Sequence, residues 1–335
     1  MYKRIFSILI IIIVIGISFF TLAYFAVEKR EKIVLKQDRI FRPIFLINKL
    51  DLNGNYSLIK VFNDRLFFTS WDENLKGKIY MLKENEKIIS ERYNFQDKIS
   101  AIGNYYIDND TVTFYDEIKY PKRLFKFNKK QYCEWQLNAP IHKMEFSNDG
   151  FMQYSLDSLK FPSIFHHADT MKEMHLTYNF KELKYPGIQL DGIFRIYENK
   201  TFMIPFVLDK IFIFNNDTNI HTNTIELINR PRNFQFFEKN GILMYDSNNS
   251  FPNISMDLQG DKVYVLTNET GIWDHRGRYF VDVYDTKDGK YLFSYLLNFE
   301  DKENLPKEIV LKGDNFYLLS NKYLYKYDKN IIGSL

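Results

Sequence analysis

A single cysteine, Cys133, among 335 residues leaves no partner for an internal disulfide. It also excludes a lipoprotein signal and a covalent c-type haem motif. As a lone thiol it is read as a small apolar filler of its strand. Alanine occurs only five times, at Ala23, Ala26, Ala101, Ala139 and Ala168, while aromatic residues make up 17% of the chain. That imbalance disfavours helices and suits strands. Charge of one sign is missing too: 45 Lys and Arg stand against 42 Asp and Glu, a formal +3 of which Lys3 and Arg4 supply two. Basic and acidic residues are interspersed, so the electrostatic footprint of a nucleic-acid-binding protein is absent. No nucleophile elbow, H-E-x-x-H helix, P-loop or Rossmann fingerprint occurs, and no cofactor is implied.

Long apolar runs are present once. Residues 5 to 27 read IFSILIIIIVIGISFFTLAYFAV, 23 positions without a charge. As a helix this run would extend roughly 35 Å, enough to cross a bilayer core. A cleavable signal would carry a shorter apolar region and small residues at its end. Here Tyr24 and Phe25 crowd Ala23 and Ala26, so the expectation is an uncleaved transmembrane signal anchor. The expected layout is a cytoplasmic tail over 1–4, the anchor over 5–27, a linker over 28–42 and one domain over 43–335. Lys29, Arg30, Lys32, Lys36 and Arg39 follow the run and do not favour export by charge count, but large domains translocate largely regardless of charge. The Ile, Lys, Asn, Phe and Tyr bias resembles an AT-rich bacterial coding sequence. The expected location is therefore the bacterial inner membrane, with the domain facing the periplasm.

The remainder is organised by a recurring turn followed by an apolar strand: Asn63-Asp64, Asn109-Asp110, Asn148-Asp149, a degenerate Asn199-Lys200, Gly260-Asp261 and Gly313-Asp314. The steps between them are 46, 39, 51, 61 and 53 residues, around the ~40 to 50 residue period of propeller blades. Each repeat parses into short alternating strands, the pattern of an antiparallel meander. The clearest holds ISMDL, KVYVLTN, YFVDVYD and KYLFSYLLN, with an Asp-Gly hairpin turn at 288–289. Successive repeats also share D-x-x-K-aromatic-P, at 116–121 and 157–162. The last repeat has only KEIVLK, NFYLLSN and YLYKY, whereas PIFLINKLDL at 43–52 has nothing else to pair with. The spacing thus predicts an all-β, six-bladed propeller of about 49 residues per blade over 43–335, closed by the N-terminal strand and preceded by one transmembrane helix.

In G-D-x-x-Y at Gly260 to Tyr264 and Y-D-x-x-x-G-K at Tyr284 to Lys290, the chain resembles the six-bladed propellers of the TolB-like and NHL-like superfamily. The resemblance implies a funnel-shaped central channel with binding loops on the face that bears the inter-blade connections.

That face is expected to collect Trp71, Asp72, Glu73, Tyr120, Arg123, Tyr185, Arg230, Arg232, Trp273, Asp274, His275 and Arg276. Aromatic and Arg side chains on loops of a rigid scaffold are common recognition surfaces. The long connection 229–251, with NFQFF and GILMY, reads as an extra strand or a plug over the channel. His166, His167 and His175 with Asp169 are the only histidine concentration, but adjacent strand residues point to opposite faces, so no metal site is expected. Two functions fit: a non-enzymatic, membrane-anchored module that binds a protein or peptide at the cell envelope, or a propeller enzyme or enzyme subunit of the hydrolase, lyase or dehydrogenase heavy-chain type. Converging desolvated carboxylates in the channel would favour the enzyme.

Overall fold

The computed structural model describes residues 18, 21, 39–72, 74–83, 89–95, 99–117, 123–128, 132–136, 141–147, 150–155, 163–167, 171–174, 186–218, 220–228, 236–239, 242–245, 252–269, 278–297 and 304–330. Its elements in chain order begin with β1 (Phe41–Arg42) and β2 (Phe45–Asp51). The first meander is β3 (Leu58–Phe62), β4 (Arg65–Thr69), β5 (Lys78–Leu82) and β6 (Ile89–Asn94); the second is β7 (Ile102–Asp108), β8 (Thr111–Asp116), β9 (Arg123–Phe127) and β10 (Tyr132–Gln136). The third comprises β11 (Ile141–Ser147), β12 (Gly150–Ser155), β13 (Ser163–His167) and β14 (Met171–Met174). One helical turn, α1 (Pro186–Gln189), precedes β15 (Gly192–Tyr197), β16 (Lys200–Pro205), β17 (Lys210–Asn215) and β18 (Ile220–Glu226). A hairpin, β19 (Phe236–Lys239) and β20 (Ile242–Tyr245), separates these from β21 (Asn253–Gln259), β22 (Lys262–Glu269), β23 (Arg278–Asp285) and β24 (Tyr291–Leu297). The chain continues through β25 (Pro306–Lys312), β26 (Asn315–Ser320) and β27 (Tyr323–Asp328).

These strands form an all-β propeller. Five sheets are four-stranded, and β21–β24 belong to a five-stranded sheet because β1 adds in parallel to the outer strand β24. The end of the segment read from the sequence as a linker over 28–42 thus contributes Phe41 and Arg42 to a sheet. Arg39 enters the sheet's interior and pairs with Asp282, and Ser294 donates its amide to the Ile40 carbonyl at 2.8 Å. The innermost strands β3, β7, β11, β15, β21 and β25 each neighbour the next, and β25 returns to β3. Closure follows the expected route: β2 runs antiparallel to β27, with Leu50 opposite Leu324 and Phe45 opposite Asp328. The apolar cores lie between blades. One joins Ile59, Phe68 and Tyr80 of the first meander to Tyr317, Leu319 and Leu324 of the last, so the ring is held shut by packing as well as by pairing.

The turns supply the register. Asn63 and Asp64 both adopt left-handed φ, +47° and +55°, the type I′ pattern that matches strand twist and that Asn and Asp tolerate. The fourth turn is Glu198-Asn199, with φ of +51° at Glu198, one residue earlier than read from the sequence. Lys200 already opens β16. The 229–251 connection contains the antiparallel hairpin β19–β20, with Phe236 opposite Tyr245. Cys133 is exposed, not a filler, because β10 is an outer strand paired on one side only.

The expected anchor over 5–27 lies outside the described residues apart from Ser18 and Thr21, both helical. Among the described residues no helix is long and apolar enough to cross a membrane.

Candidate functional site

Where the six innermost strands converge, each contributes one polar side chain: Lys60 from β3, Asn104 from β7, Glu145 from β11, Arg195 from β15, Asp257 from β21 and Glu308 from β25. Lys60, Glu145, Arg195 and Asp257 each stand three residues before the first residue of their hairpin turn. Asn104 and Glu308 stand five before theirs. All six offsets are odd, so a period of two puts the six on one face of their strands. The ion pairs identify that face as the channel. Lys60 Nζ reaches past β7 to Glu145 Oε1 at 2.7 Å, and an Arg195 terminal nitrogen reaches past β21 to Glu308 Oε1 at 2.5 Å. A second Arg195 nitrogen lies 3.6 Å from Glu145 Oε2, which also accepts a bond from Asn104 Nδ2 at 2.8 Å.

Main-chain amides complete the network. Ile59 donates to Glu308 Oε2 at 2.8 Å, Leu311 to Asp257 Oδ2 at 2.7 Å and Leu258 to Asp257 Oδ1 at 2.9 Å. Burial pushes Glu308 up to about 7, against the pull of Arg195, the Ile59 amide and Lys60. Burial likewise raises Asp257, opposed by Arg195 and the two amides. For Arg195 burial acts downward, but Glu145, Glu308 and Asp257 outweigh it and its pKa is raised. Three carboxyls thus surround two cations, and neutrality is reached when one carboxyl holds a proton. Glu308, lifted to about 7, is the carboxyl placed to do so. Tyr105 adds a buried hydroxyl beside the Lys60 backbone, its pKa raised by burial and by the Glu308 charge.

Sequence reasoning missed this ring, although the odd spacing from each turn would have revealed it. Of the residues expected on the loop face, Trp71 and Asp72 are exposed at the end of β4. Trp71 is 57% exposed, yet its Nε1 donates to the Ile102 carbonyl of the next blade at 3.2 Å. Asp72 shapes its own turn, accepting the Asn74 amide through Oδ1 at 3.0 Å. Arg123 is the first residue of β9, the third strand of its sheet, and pairs with Glu134 of the outer strand β10 at 2.7 Å. Glu73, Tyr120, Tyr185, Arg230, Arg232, Trp273, Asp274, His275 and Arg276 lie outside the described residues, as do His175, Asp169 and most of both D-x-x-K-aromatic-P segments. Trp135, overlooked in the sequence, is 45% exposed on the outer strand β10. His166 and His167 do sit together at the end of β13, and among the described residues no group of three His, Cys, Asp or Glu is placed to hold a metal.

No protein-family model matches the chain, and no curated protein matches it. Solved structures do. A virginiamycin B lyase from Staphylococcus aureus is 13% identical, with 85% of this chain and 99% of that chain covered and a TM-score of 0.50. A protein described as exported, from Bacteroides fragilis, is 9% identical, with 87% and 97% covered and a TM-score of 0.53. At these identities the likeness is one of fold, and the fold shared is the β-propeller.

Proposed function

We propose that this chain is a six-bladed propeller, tethered to a bacterial envelope membrane by residues 5–27 and facing the periplasm, that binds a protein or peptide partner through the loop face bearing Trp71. The six-blade count takes the five-stranded sheet as one meander with β1 laid on its outer edge. The observation that carries the binding reading is Trp71 itself: a large aromatic ring held in place through Nε1 while more than half of it stays open to solvent. Rigid exposed aromatics are the usual anchors of protein interfaces.

The enzyme reading is favoured by the near-neutral Glu308, since a general acid or base works best near the ambient pH. Against it, both oxygens of Glu308, Glu145 and Asp257 are already occupied by partners on the ring. A lyase of similar fold at 13% identity adds no residue correspondence. Affinity capture of the detergent-solubilised full chain from its native membrane separates the two. A stoichiometric partner retained by the wild type and lost on Trp71→Ala, with melting temperature unchanged, supports binding. No stoichiometric partner, together with a small molecule that raises the melting temperature, overturns it.

A further inference from the structure

Thirteen large apolar side chains are exposed among the described residues, and five of them fall within eight consecutive positions: Ile40, Phe41, Phe45, Leu46 and Ile47. Ile40 is 64% exposed, Leu46 50% and Ile47 49%. Ile40 precedes and Phe41 opens β1, the outer edge of one sheet, and Phe45, Leu46 and Ile47 lie on β2, the outer edge of the next. A shift in pairing register between Leu46 and Asn48 places a bulge at Ile47. An apolar edge strand left bare is an invitation to aggregation, and folded proteins normally cover one.

The cover is argued from chain length and charge. This inference rests on the anchored reading of residues 5–27. Eleven residues, 28–38, separate the apolar run from Arg39, and fully extended they reach no further than about 40 Å. Arg39 is itself fixed by Asp282, so the strip cannot swing away from the membrane on a long tether. Residues 28–51 hold seven Lys and Arg against four Asp and Glu; with Arg39 buried against Asp282, six basic residues stand against four acidic ones, a net +2, while residues 52–335 carry −2. Basic charge beside exposed apolar side chains is the composition that binds an anionic lipid interface, the charges meeting headgroups and the side chains entering the acyl boundary.

We propose that Ile40, Phe41, Phe45, Leu46 and Ile47 form a membrane-docking rim, seated in the headgroup region of the bilayer that holds the anchor. The propeller then lies edge-on to the membrane and its channel axis is fixed in direction. The test uses the full chain in vesicles of zwitterionic and anionic lipid, in a Cys133→Ser background. One variant carries an environment-sensitive fluorophore at Leu46→Cys and the other at Asp217→Cys, on the exposed β17–β18 turn. Headgroup-nitroxide lipids should quench the label at 46 at least twofold more than the label at 217, with a blue shift confined to 46. Equal, weak quenching at both sites in protein that resists carbonate extraction would overturn the docking and leave the anchor intact. Energy transfer between labels at 46 on different molecules would overturn it in favour of self-association. Loss of the protein on carbonate extraction would overturn the anchor and the rim together.

Discussion

Arg39 and Asp282 are separated by 243 positions in the chain and meet in a bidentate ion pair, Nε to Oδ1 at 3.0 Å and a terminal nitrogen to Oδ2 at 3.1 Å. The side chains are 3% and 0% exposed. Thr267 and Ser294 hydroxyls also donate to Asp282, and the guanidinium lies 4.2 Å from the Phe280 ring centroid. The segment entering the propeller is therefore part of its fold.

Arg39→Ala should accordingly be costly, because it leaves the Asp282 carboxylate buried without its cation. Removing one member of such a pair typically costs about 3 to 5 kcal/mol. Arg39→Lys should recover part of this, since it restores charge but not the two-pronged geometry. Denaturant unfolding of the full chain measures both, and an Arg39→Ala midpoint equal to that of the wild type would refute the coupling.

Closure by β2 makes a second claim testable. Deleting residues 43–52 strips the outer strand from β27 and uncovers Leu324 and Tyr325, which are buried in the cores on either side of the last blade. A loss on the order of 5 kcal/mol corresponds to a fall in melting temperature of roughly 10 °C or more for a domain of this size. Deleting residues 1–35, which stops short of Arg39, should leave that temperature nearly unchanged. Equal melting temperatures for the wild type and the 43–52 deletion would remove the closure from the account.

The blades were legible because turn and strand chemistry are local. Asn63-Asp64 and Gly313-Asp314 announce left-handed turns, and the alternation of KVYVLTN or NFYLLS announces strands with one face in a core. Even closure could be counted, since the last repeat lacked a strand and 43–52 lacked a partner. The centre of the ring was not legible in the same way. Lys60 and Glu145 lie 85 positions apart, Arg195 and Glu308 lie 113 apart, and their meeting depends on how successive blades rotate about the axis. What the sequence does hold is a polar residue at an odd offset before each turn, a signal that becomes visible only when the repeats are aligned on their turns. The placement of Arg39 was hidden for a different reason: its partner Asp282 sits inside YFVDVYD, where one Asp in an alternating strand reads as an ordinary solvent-facing residue.

The last prediction concerns pH and Glu308. Its carboxyl faces Arg195, Lys60, Glu145, the Tyr105 hydroxyl and the Ile59 amide, and burial lifts it from the ordinary 4.5 to about 7. A folded-state pKa above the unfolded one means that the folded protein holds a proton the unfolded chain has released. Between about 4.5 and 7 the contribution of Glu308 to stability must therefore fall as pH rises, and above about 7 it must level off. Most carboxylates in ion pairs give the opposite slope, so the ring centre should stand out in a difference measurement. Glu308→Gln removes the titration. It also exchanges one acceptor oxygen for an NH2 donor, so either the Ile59 N–H or Arg195 loses its acceptor, and an unmade buried bond of that kind costs about 1 to 3 kcal/mol. The melting temperature of the wild type minus that of Glu308→Gln should thus decrease from pH 5 to pH 7.5 and stay constant from 7.5 to 9. A difference that is flat across the whole range, or that rises with pH, would show that Glu308 is ionised throughout and that the ring carries its excess negative charge in the folded protein.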